Sequence, residues 1–200
     1  MGQQQQPEEK GWTPIEDARA AANLLTLAMQ TMAAPMEVIL RKRFGRRAFG
    51  VPSALALLVI PMWMVFWPEE DPRPMWWFWM LFVVMQLRAR IESVVLATRG
   101  PRVHSRYNGD SRLQWLGRWL DPKNIKGGVE GFLVTFGGFA MMEWSKPLGS
   151  YMVVAGISVI GVMTLIESVD RRRTEQLHDA WLEQQYQAER FREMREKFRS

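Results

Sequence analysis

The chain has no cysteine and only two histidines among its 200 residues. Without thiols it forms no disulfide and no thiolate metal site, and it has no cysteine nucleophile. Two histidines leave little for a histidine-based metal centre. From these shortages we expect neither a metal ion nor a cofactor.

The sequence motifs of several enzyme classes are also missing. The chain has no GxxxxGK[ST] or GxGxxG to hold phosphates and no HExxH to hold zinc. His104, Ser105 and Asp110 are close in the sequence. A hydrolytic triad also requires an oxyanion site and a fixed acidic partner, and the sequence indicates neither. We therefore predict that the protein is not an enzyme.

Apolar residues are abundant and are concentrated in blocks. Residues 51–67 and 147–166 contain no charged residue. A helix needs roughly 20 mostly apolar residues, and at least about 17, to cross the hydrocarbon core of a bilayer. Both blocks therefore predict transmembrane helices.

Two further apolar blocks also predict transmembrane helices, but each requires an additional condition. Residues 75–87 are strongly apolar but short. A crossing helix extends to about Ala97 if Arg88 and Arg90 reach the headgroups with their long side chains, and whether this second span crosses fully stays open. Residues 128–144 contain four glycines, which helices in lipid tolerate because small residues allow close packing.

The four blocks together predict an all-α polytopic membrane protein with four transmembrane helices and amphipathic cytoplasmic helices at both ends. The alternative is a soluble protein with four buried core helices, but the run MWWFWMLF is apolar around a whole helix. In chain order, the predicted segments are an amphipathic and basic N-terminal segment (1–50), a first transmembrane hairpin (51–97), a basic link with a short interfacial helix (98–127), a second hairpin (128–166) and a C-terminal helix (167–200).

The distribution of basic residues predicts the orientation, because Lys and Arg accumulate in cytoplasmic loops. Five basic residues lie directly before the first span (41–47), nine lie at the end of the second span and in the link to the third (88–126) and three lie directly after the fourth (171–173), whereas the opposite side has only Arg73 and Lys146. This asymmetry predicts an inner-membrane protein with both termini in the cytoplasm. Six tryptophans gather toward the opposite side, as in an interfacial aromatic belt: Trp63, Trp67, Trp76, Trp77, Trp79 and Trp144.

Basic residues beside two of the spans are candidates for contact with an anionic inner leaflet. They are Arg41, Lys42, Arg43, Arg46 and Arg47 before the first span, and Arg171, Arg172 and Arg173 after the fourth. Each basic residue near such a surface contributes roughly 1 kcal/mol. The alternative is that these charges fix the orientation and bind no specific lipid.

The N-terminal segment contains a predicted helix that begins at Thr13. Thr13 caps the helix, Pro14 occupies its first position and Glu16 completes a capping box. We expect Pro35 to interrupt the helix, and residues 36–49 to follow as an interfacial segment. The helix either packs on the protein's own cytoplasmic face or binds a partner or the membrane surface.

The C-terminal tail has no glycine or proline, and its apolar residues advance by three, four or seven positions. This spacing indicates a weak coiled coil or a helix lying on another subunit. The alternative is a solvated helix with an accidental stripe. The candidate docking residues are Leu177, Trp181, Phe191 and Phe198.

Small residues mark candidate close contacts between helices. Gly127 and Gly131 are four positions apart at the edge of the third predicted span. Ala155, Ser158 and Gly161 recur every three positions in the fourth predicted span.

These features predict a non-enzymatic multipass subunit that scaffolds a larger membrane complex, such as a secretion or conjugative-transfer machine, through cytoplasmic helical arms. Its expected partners are a bilayer with an anionic inner leaflet, and other subunits or further copies of the chain. One alternative is a small homo-oligomeric transporter or channel that uses Glu130 or Glu143. Another is a platform for anionic lipid or nucleic acid. Because no nucleic-acid-binding fold is recognisable, lipid is expected rather than nucleic acid.

Overall fold

The computed structural model describes residues 14–44, 50–99, 109–113 and 125–197. In these ranges the chain forms five α-helices, and the prediction of an all-α protein is confirmed. They are α1 (Pro14–Leu40), α2 (Val51–Trp63), α3 (Arg73–Arg99), α4 (Glu130–Met142) and α5 (Lys146–Lys197). Two short strands, β1 (Arg41–Lys42) and β2 (Asp110–Ser111), pair antiparallel. A 3-10 turn (Met64–Phe66) ends α2, and a π-helical turn (Ile125–Val129) leads into α4.

The helices α2 to α5 form a bundle whose two connecting turns lie at the same end. This end, which we call the turn end, contains residues 67–72 between α2 and α3 and residues 143–145 between α4 and α5. Lys146 donates a hydrogen bond of 2.6 Å to Glu70 and so joins the two turns. Nearby, the Trp63 indole donates to the Ser150 hydroxyl at 3.1 Å. We call the opposite end, where α4 begins, the arm end.

Glycines bring the backbones of α4 and α5 into direct contact. A Cβ atom added at Gly138 would lie 2.7 Å from Val153 N and 2.9 Å from Gly149 O, and one at Gly156 would lie 2.8 Å from Gly131 O. Real Cβ atoms do not approach backbone this closely. Since Gly131 and Gly138 are seven residues apart, as are Gly149 and Gly156, each pair presents two turns of bare backbone on one helix face.

Helix α1 packs on the arm end of the bundle. Its Met29 side chain reaches Gly161 of α5, while Arg41, directly after the helix, reaches Glu130 at the start of α4. Since Glu130 and Gly161 both lie at the arm end, both contacts of α1 fall at the same end. The helix is exposed near its beginning and buried near its end. The buried side chains include Ala33, Ala34, Met36 and Val38.

The structure corrects the expected interruption at Pro35. The proline lies inside α1, which continues to Leu40, and its ring is fully buried. Proline removes one backbone hydrogen bond from a helix, but burial of the flanking residues holds the turns on either side. Residues 36–40 are therefore the last turn of a packed helix instead of a separate interfacial segment.

The C-terminal tail is not a separate helix but the continuation of the fourth apolar block. Helix α5 has 52 residues and is therefore about 78 Å long. Among the described residues it is the one helix that is long and apolar enough to cross a membrane, whereas Val51–Phe66 and Glu130–Met142 are apolar but shorter. The expected continuous helix after residue 75 is present as α3. The interfacial helix expected in the link falls mostly outside the described residues.

Adjacent glycines in α4 provide a matched test of the α4–α5 contact. At Gly137 an added Cβ would meet only Met152 Cε at 3.6 Å, an ordinary contact, whereas at Gly138 it would meet backbone. We expect Gly138→Ala to lower the free energy of unfolding by about 2 kcal/mol through overpacking, and Gly137→Ala to leave it unchanged or raise it by up to about 1 kcal/mol. Denaturant unfolding of the detergent-solubilised protein, followed by circular dichroism, measures both. Equal effects would contradict the packing described.

Candidate functional site

A buried ion pair lies at the arm end of the bundle. Arg41 Nε is 2.8 Å from Glu130 Oε2, and the two side chains are 0% and 1% exposed. Arg41 Nη1 also lies 3.0 Å from Glu37 Oε1, one turn earlier on α1. The Ser111 hydroxyl faces the Glu130 carboxylate as well. One guanidinium thus binds two carboxylates that come from different helices.

The position of Arg41 at the end of α1 favours the pair. Arg41 directly follows the last residue of α1, and Glu130 is the first residue of α4. A cation is stabilised at a helix C-terminus, because the peptide dipoles add along the axis. Arg41 therefore interacts favourably with the end of α1 as well as with Glu130, whereas Glu130 follows the π-helical turn Ile125–Val129 and is not at a free helix end.

The short sheet holds residues 109–113 against this pair. Arg41 is opposite Ser111 and Lys42 is opposite Asp110 in the register of β1 and β2. Arg112 Nε donates to Arg41 O at 3.3 Å. Gly109 has a φ of +75°, and a Cβ added there would lie 2.7 Å from Lys42 O. Glycine is therefore required where the chain enters β2.

The surface of the bundle is apolar, while several polar side chains are inside. Buried polar residues include Arg41, Ser53, Ser93, Glu130 and Ser158. Large apolar side chains are exposed on all four bundle helices: Leu58 and Met62 on α2; Trp77, Met80, Val84 and Leu87 on α3; Phe132, Leu133, Phe136 and Phe139 on α4; Val154 and Ile157 on α5. Soluble monomers rarely expose contiguous apolar surface of this kind.

The second part of α5 extends beyond the bundle as an exposed arm. The arm consists of residues 167–197, and every side chain described in it is exposed. Leu177 and Phe191 are 73% and 69% exposed, and Trp181 is 53% exposed and stacks on His178. Of the four predicted docking residues, these three lie on the arm, and Phe198 lies outside the described residues. Their docking role stays a prediction.

The predicted lipid-contact residues fall into three groups. Arg41 is not available to lipid because it is buried in the ion pair, which corrects its expected position at the surface. Lys42 and Arg43 beside it are exposed, as are Arg171, Arg172 and Arg173 at the base of the arm. Arg46 and Arg47 lie outside the described residues.

The predicted small-residue contacts are distributed over three helices. A Cβ at Gly131 would meet Ile160 and Gly156, and one at Gly161 would meet Met29 of α1. Ala155 and Ser158 are buried on α5, and the Ser158 hydroxyl donates to Val154 O. Gly127 lies in the π-helical turn before α4.

The ion pair and three of the contact glycines were not predicted. Gly138, Gly149 and Gly156 belong to two pairs spaced by seven residues, and this repeat is the sequence signal that identifies them. Glu130 was expected only in a transport path, and Glu143 lies exposed at the turn end. The sequence feature that indicates the pair is a carboxylate inside an apolar block, because a buried carboxylate needs a cation.

At the turn end, the contact between Lys146 and Glu70 changes the acid–base behaviour of the lysine. The hydrogen bond from Lys146 to the Glu70 carboxylate, together with the opposite charge, raises the pKa of the Lys146 ammonium above its ordinary value. The lysine therefore stays charged throughout the physiological range. Because Lys146 is exposed, the contact serves to align the two turns more than to stabilise them.

The described residues contain no group of acidic or histidine side chains that would hold a metal ion. Comparison of the chain with known protein families, curated proteins and solved structures gives no match. Any assignment of function therefore rests on the geometry alone.

Removing one partner of the buried pair tests its importance. We expect Arg41→Met to lower the free energy of unfolding by about 3 kcal/mol or more, because Glu130 is left buried without a cation. The double variant Arg41→Met with Glu130→Gln should recover part of this loss. Denaturant unfolding of the detergent-solubilised protein measures both.

The matched control is Arg43→Met, two residues away. The Arg43 side chain is 61% exposed, and its Nη1 lies 4.0 Å from Asp110 Oδ2. Its loss should therefore change the free energy of unfolding by less than about 0.5 kcal/mol. If the two single variants were equally stable, the buried pair would have no special role.

Proposed function

We propose that the chain is a multipass membrane protein that crosses an inner membrane four times and scaffolds a larger complex without catalysing a reaction. In this proposal α2, α3, α4 and the first part of α5 are the four spans. The arm and the beginning of α1 are the surfaces that bind other subunits. The observation that carries the proposal is the apolar outer surface of the bundle.

The apolar surface supports lipid as the surrounding solvent. In water, the exposed phenylalanines of α4 and the exposed tryptophans of α3 would be unfavourable, at about 25 cal/mol for each Å² of apolar area. In hydrocarbon the same side chains are well solvated, and buried polar groups must instead pair inside the protein. Arg41 and Glu130 pair with each other in this way through Nε and Oε2.

The distribution of charged residues between the two ends of the bundle supports the proposed orientation in the membrane. Arg171, Arg172 and Arg173 follow the apolar part of α5, and Lys42 and Arg43 are exposed at the arm end. The turn between α2 and α3 is acidic, with Glu69, Glu70 and Asp71. By the bias of Lys and Arg toward the cytoplasm, the arm end is cytoplasmic and the turn end is on the opposite side.

The arm supports the scaffold role over the transporter. A helix that continues without a break from a membrane span holds its exposed residues at fixed distances from the membrane. The transporter alternative requires an available ionisable group within the spans, and Glu130 is already paired with Arg41. Scaffolding is therefore the function that this geometry supports better.

The absence of cysteine allows the topology to be tested residue by residue. We expect Glu69→Cys, at the turn end, to react with a membrane-impermeant maleimide in intact cells. We expect Ala20→Cys on α1 and Glu189→Cys on the arm to react only after permeabilisation. The cysteine-free parent protein is the control. Labelling of Glu69→Cys and Glu189→Cys from the same side would contradict an odd number of crossings between them.

The docking role of the arm is tested by photocrosslinking on two faces. Leu177 and Phe191 share one face of the helix, whereas Asp179 and Arg190 lie on the opposite face by helical periodicity. A benzophenone side chain at Leu177 or Phe191 should give a crosslinked adduct of defined mass in cells. The same group at Asp179 or Arg190 is the matched control and should give none. Adducts from both faces, or from neither, would count against docking through the face that contains Leu177 and Phe191.

A further inference from the structure

The outer face of α3 has an apolar patch that contains two opposite charges. These positions recur every three or four residues, so they share one side of the helix. The opposite side, with Phe82, Ala89 and Ser93, is buried, whereas all four apolar side chains of the patch are exposed. The patch consists of Val84, Leu87, Arg88, Ile91, Glu92 and Val95.

The two charges of the patch do not pair with each other. Arg88 precedes Glu92 by one helical turn, but within the described ranges no ion pair joins them or links either one to another charged side chain. A basic residue four positions before an acidic one is the less favourable order on a helix. Arg88 is exposed and Glu92 is half-buried, so both charges remain available for a ligand.

The two charges follow one another along α3 toward the arm end. Helix α3 begins at Arg73 at the turn end. At about 1.5 Å per residue, Glu92 lies about 28 Å further along the helix, close to the thickness of about 30 Å of a hydrocarbon core. Arg88 lies about 6 Å before Glu92, a distance that a long arginine side chain can follow toward the headgroups. In a spanning α3, both charges therefore reach the headgroup layer at the arm end.

We propose that this patch binds phosphatidylethanolamine, with Arg88 on the phosphate and Glu92 on the primary ammonium. The inference rests on the proposed function, because that function places the arm end of α3 at the membrane surface. A guanidinium donates two parallel hydrogen bonds to phosphate oxygens, and a carboxylate accepts hydrogen bonds from an ammonium group.

The order of the two charges matches the order of groups in this lipid. The phosphate of phosphatidylethanolamine is attached to the glycerol that carries the acyl chains, and the ammonium follows two methylene groups further from them. On α3, Arg88 is likewise nearer the middle of the span and Glu92 nearer its end. The acyl chains then lie over Val84 and Leu87, which precede Arg88 and are exposed.

The same two side chains select against the other common phospholipids. Phosphatidylcholine has a quaternary ammonium without an N–H group, so it donates no hydrogen bond to Glu92. Phosphatidylglycerol has a phosphate for Arg88 but no cation for Glu92, and the carboxylate repels its negative charge. The patch therefore differs from the exposed Lys42 and Arg43, which suit any anionic headgroup.

A local fluorescence measurement tests which lipid covers the patch. Because the chain has no cysteine, a fluorophore can be attached at Leu81→Cys alone, which is exposed on the same side of α3 as Arg88. The full-length protein is reconstituted into vesicles with equal amounts of phosphatidylethanolamine, phosphatidylcholine and phosphatidylglycerol. In each preparation the acyl chains of one lipid are brominated, so that this lipid quenches the fluorophore when it is adjacent.

Quenching at Leu81→Cys should show phosphatidylethanolamine in excess over each other lipid by about fivefold, as expected for one additional charged contact at an exposed site. The matched probe is Phe132→Cys on α4, in a patch without charged residues that also contains Gly128, Val129, Leu133 and Phe136. It should show no preference for phosphatidylethanolamine. Equal quenching by the three lipids at Leu81→Cys, or a preference there for another lipid, would overturn the proposal.

Variants of the two charged residues test their separate roles. In the Leu81→Cys protein, Arg88→Leu and Glu92→Gln should each reduce the preference for phosphatidylethanolamine to about onefold to twofold. Glu92→Lys should shift the preference to phosphatidylglycerol, which loss of a merely structural contact would not do. The matched control is Arg90→Leu, since Arg90 is exposed at a similar depth but on another face. It should leave the preference unchanged, and an equal loss in Arg90→Leu and Arg88→Leu would contradict the assigned site.

The outcomes separate this inference from the proposed function. Protein that does not insert into the vesicles contradicts the four crossings and the lipid site together. Protein that inserts with the expected sidedness of cysteine labelling, but shows equal quenching by the three lipids at Leu81→Cys, leaves the four crossings standing and overturns the lipid site alone.

Discussion

The contact between Arg41 and Glu130 joins three parts of the chain that are far apart in sequence. It connects the end of α1 to the start of α4, and through Ser111 it connects both to the short sheet. Because a buried charge without a partner is strongly unfavourable, α1 cannot leave the bundle without exposing or isolating Glu130. The position of the end of α1 therefore depends on this guanidinium, together with the buried apolar residues that precede it.

The bundle has an apolar outer surface in addition to its apolar core. Helices α4 and α5 meet through glycine, and many large apolar side chains on the bundle are exposed. In the proposed membrane setting the hydrophobic effect does little to bring helices together, since lipid is as apolar as leucine. Close backbone contact between α4 and α5, which maximises dispersion, supplies the attraction instead.

Much of the fold could be predicted from the sequence because periodicity and the length of apolar blocks are local properties. The start of α1 near Pro14, the continuity of α3 beyond residue 87 and the helical tail all follow from such local patterns. The pairing of Arg41 with Glu130 could not be predicted, because 89 positions separate them and the chain has 26 basic residues to choose from. The predicted interruption of α1 at Pro35 was wrong for a related reason. The neighbours of Pro35 are held by tertiary burial, which overrides the local preference of proline.

The single helix that forms both the fourth apolar block and the arm acts mechanically as a lever. With no break between residues 146 and 197, any rotation of the part within the bundle is transmitted to the far end. The arm is about 46 Å long, so a change of about 10° in the angle of the span displaces its tip by about 8 Å. In the proposed orientation, a partner bound near Phe191 would therefore experience the inclination of the span as a change of position.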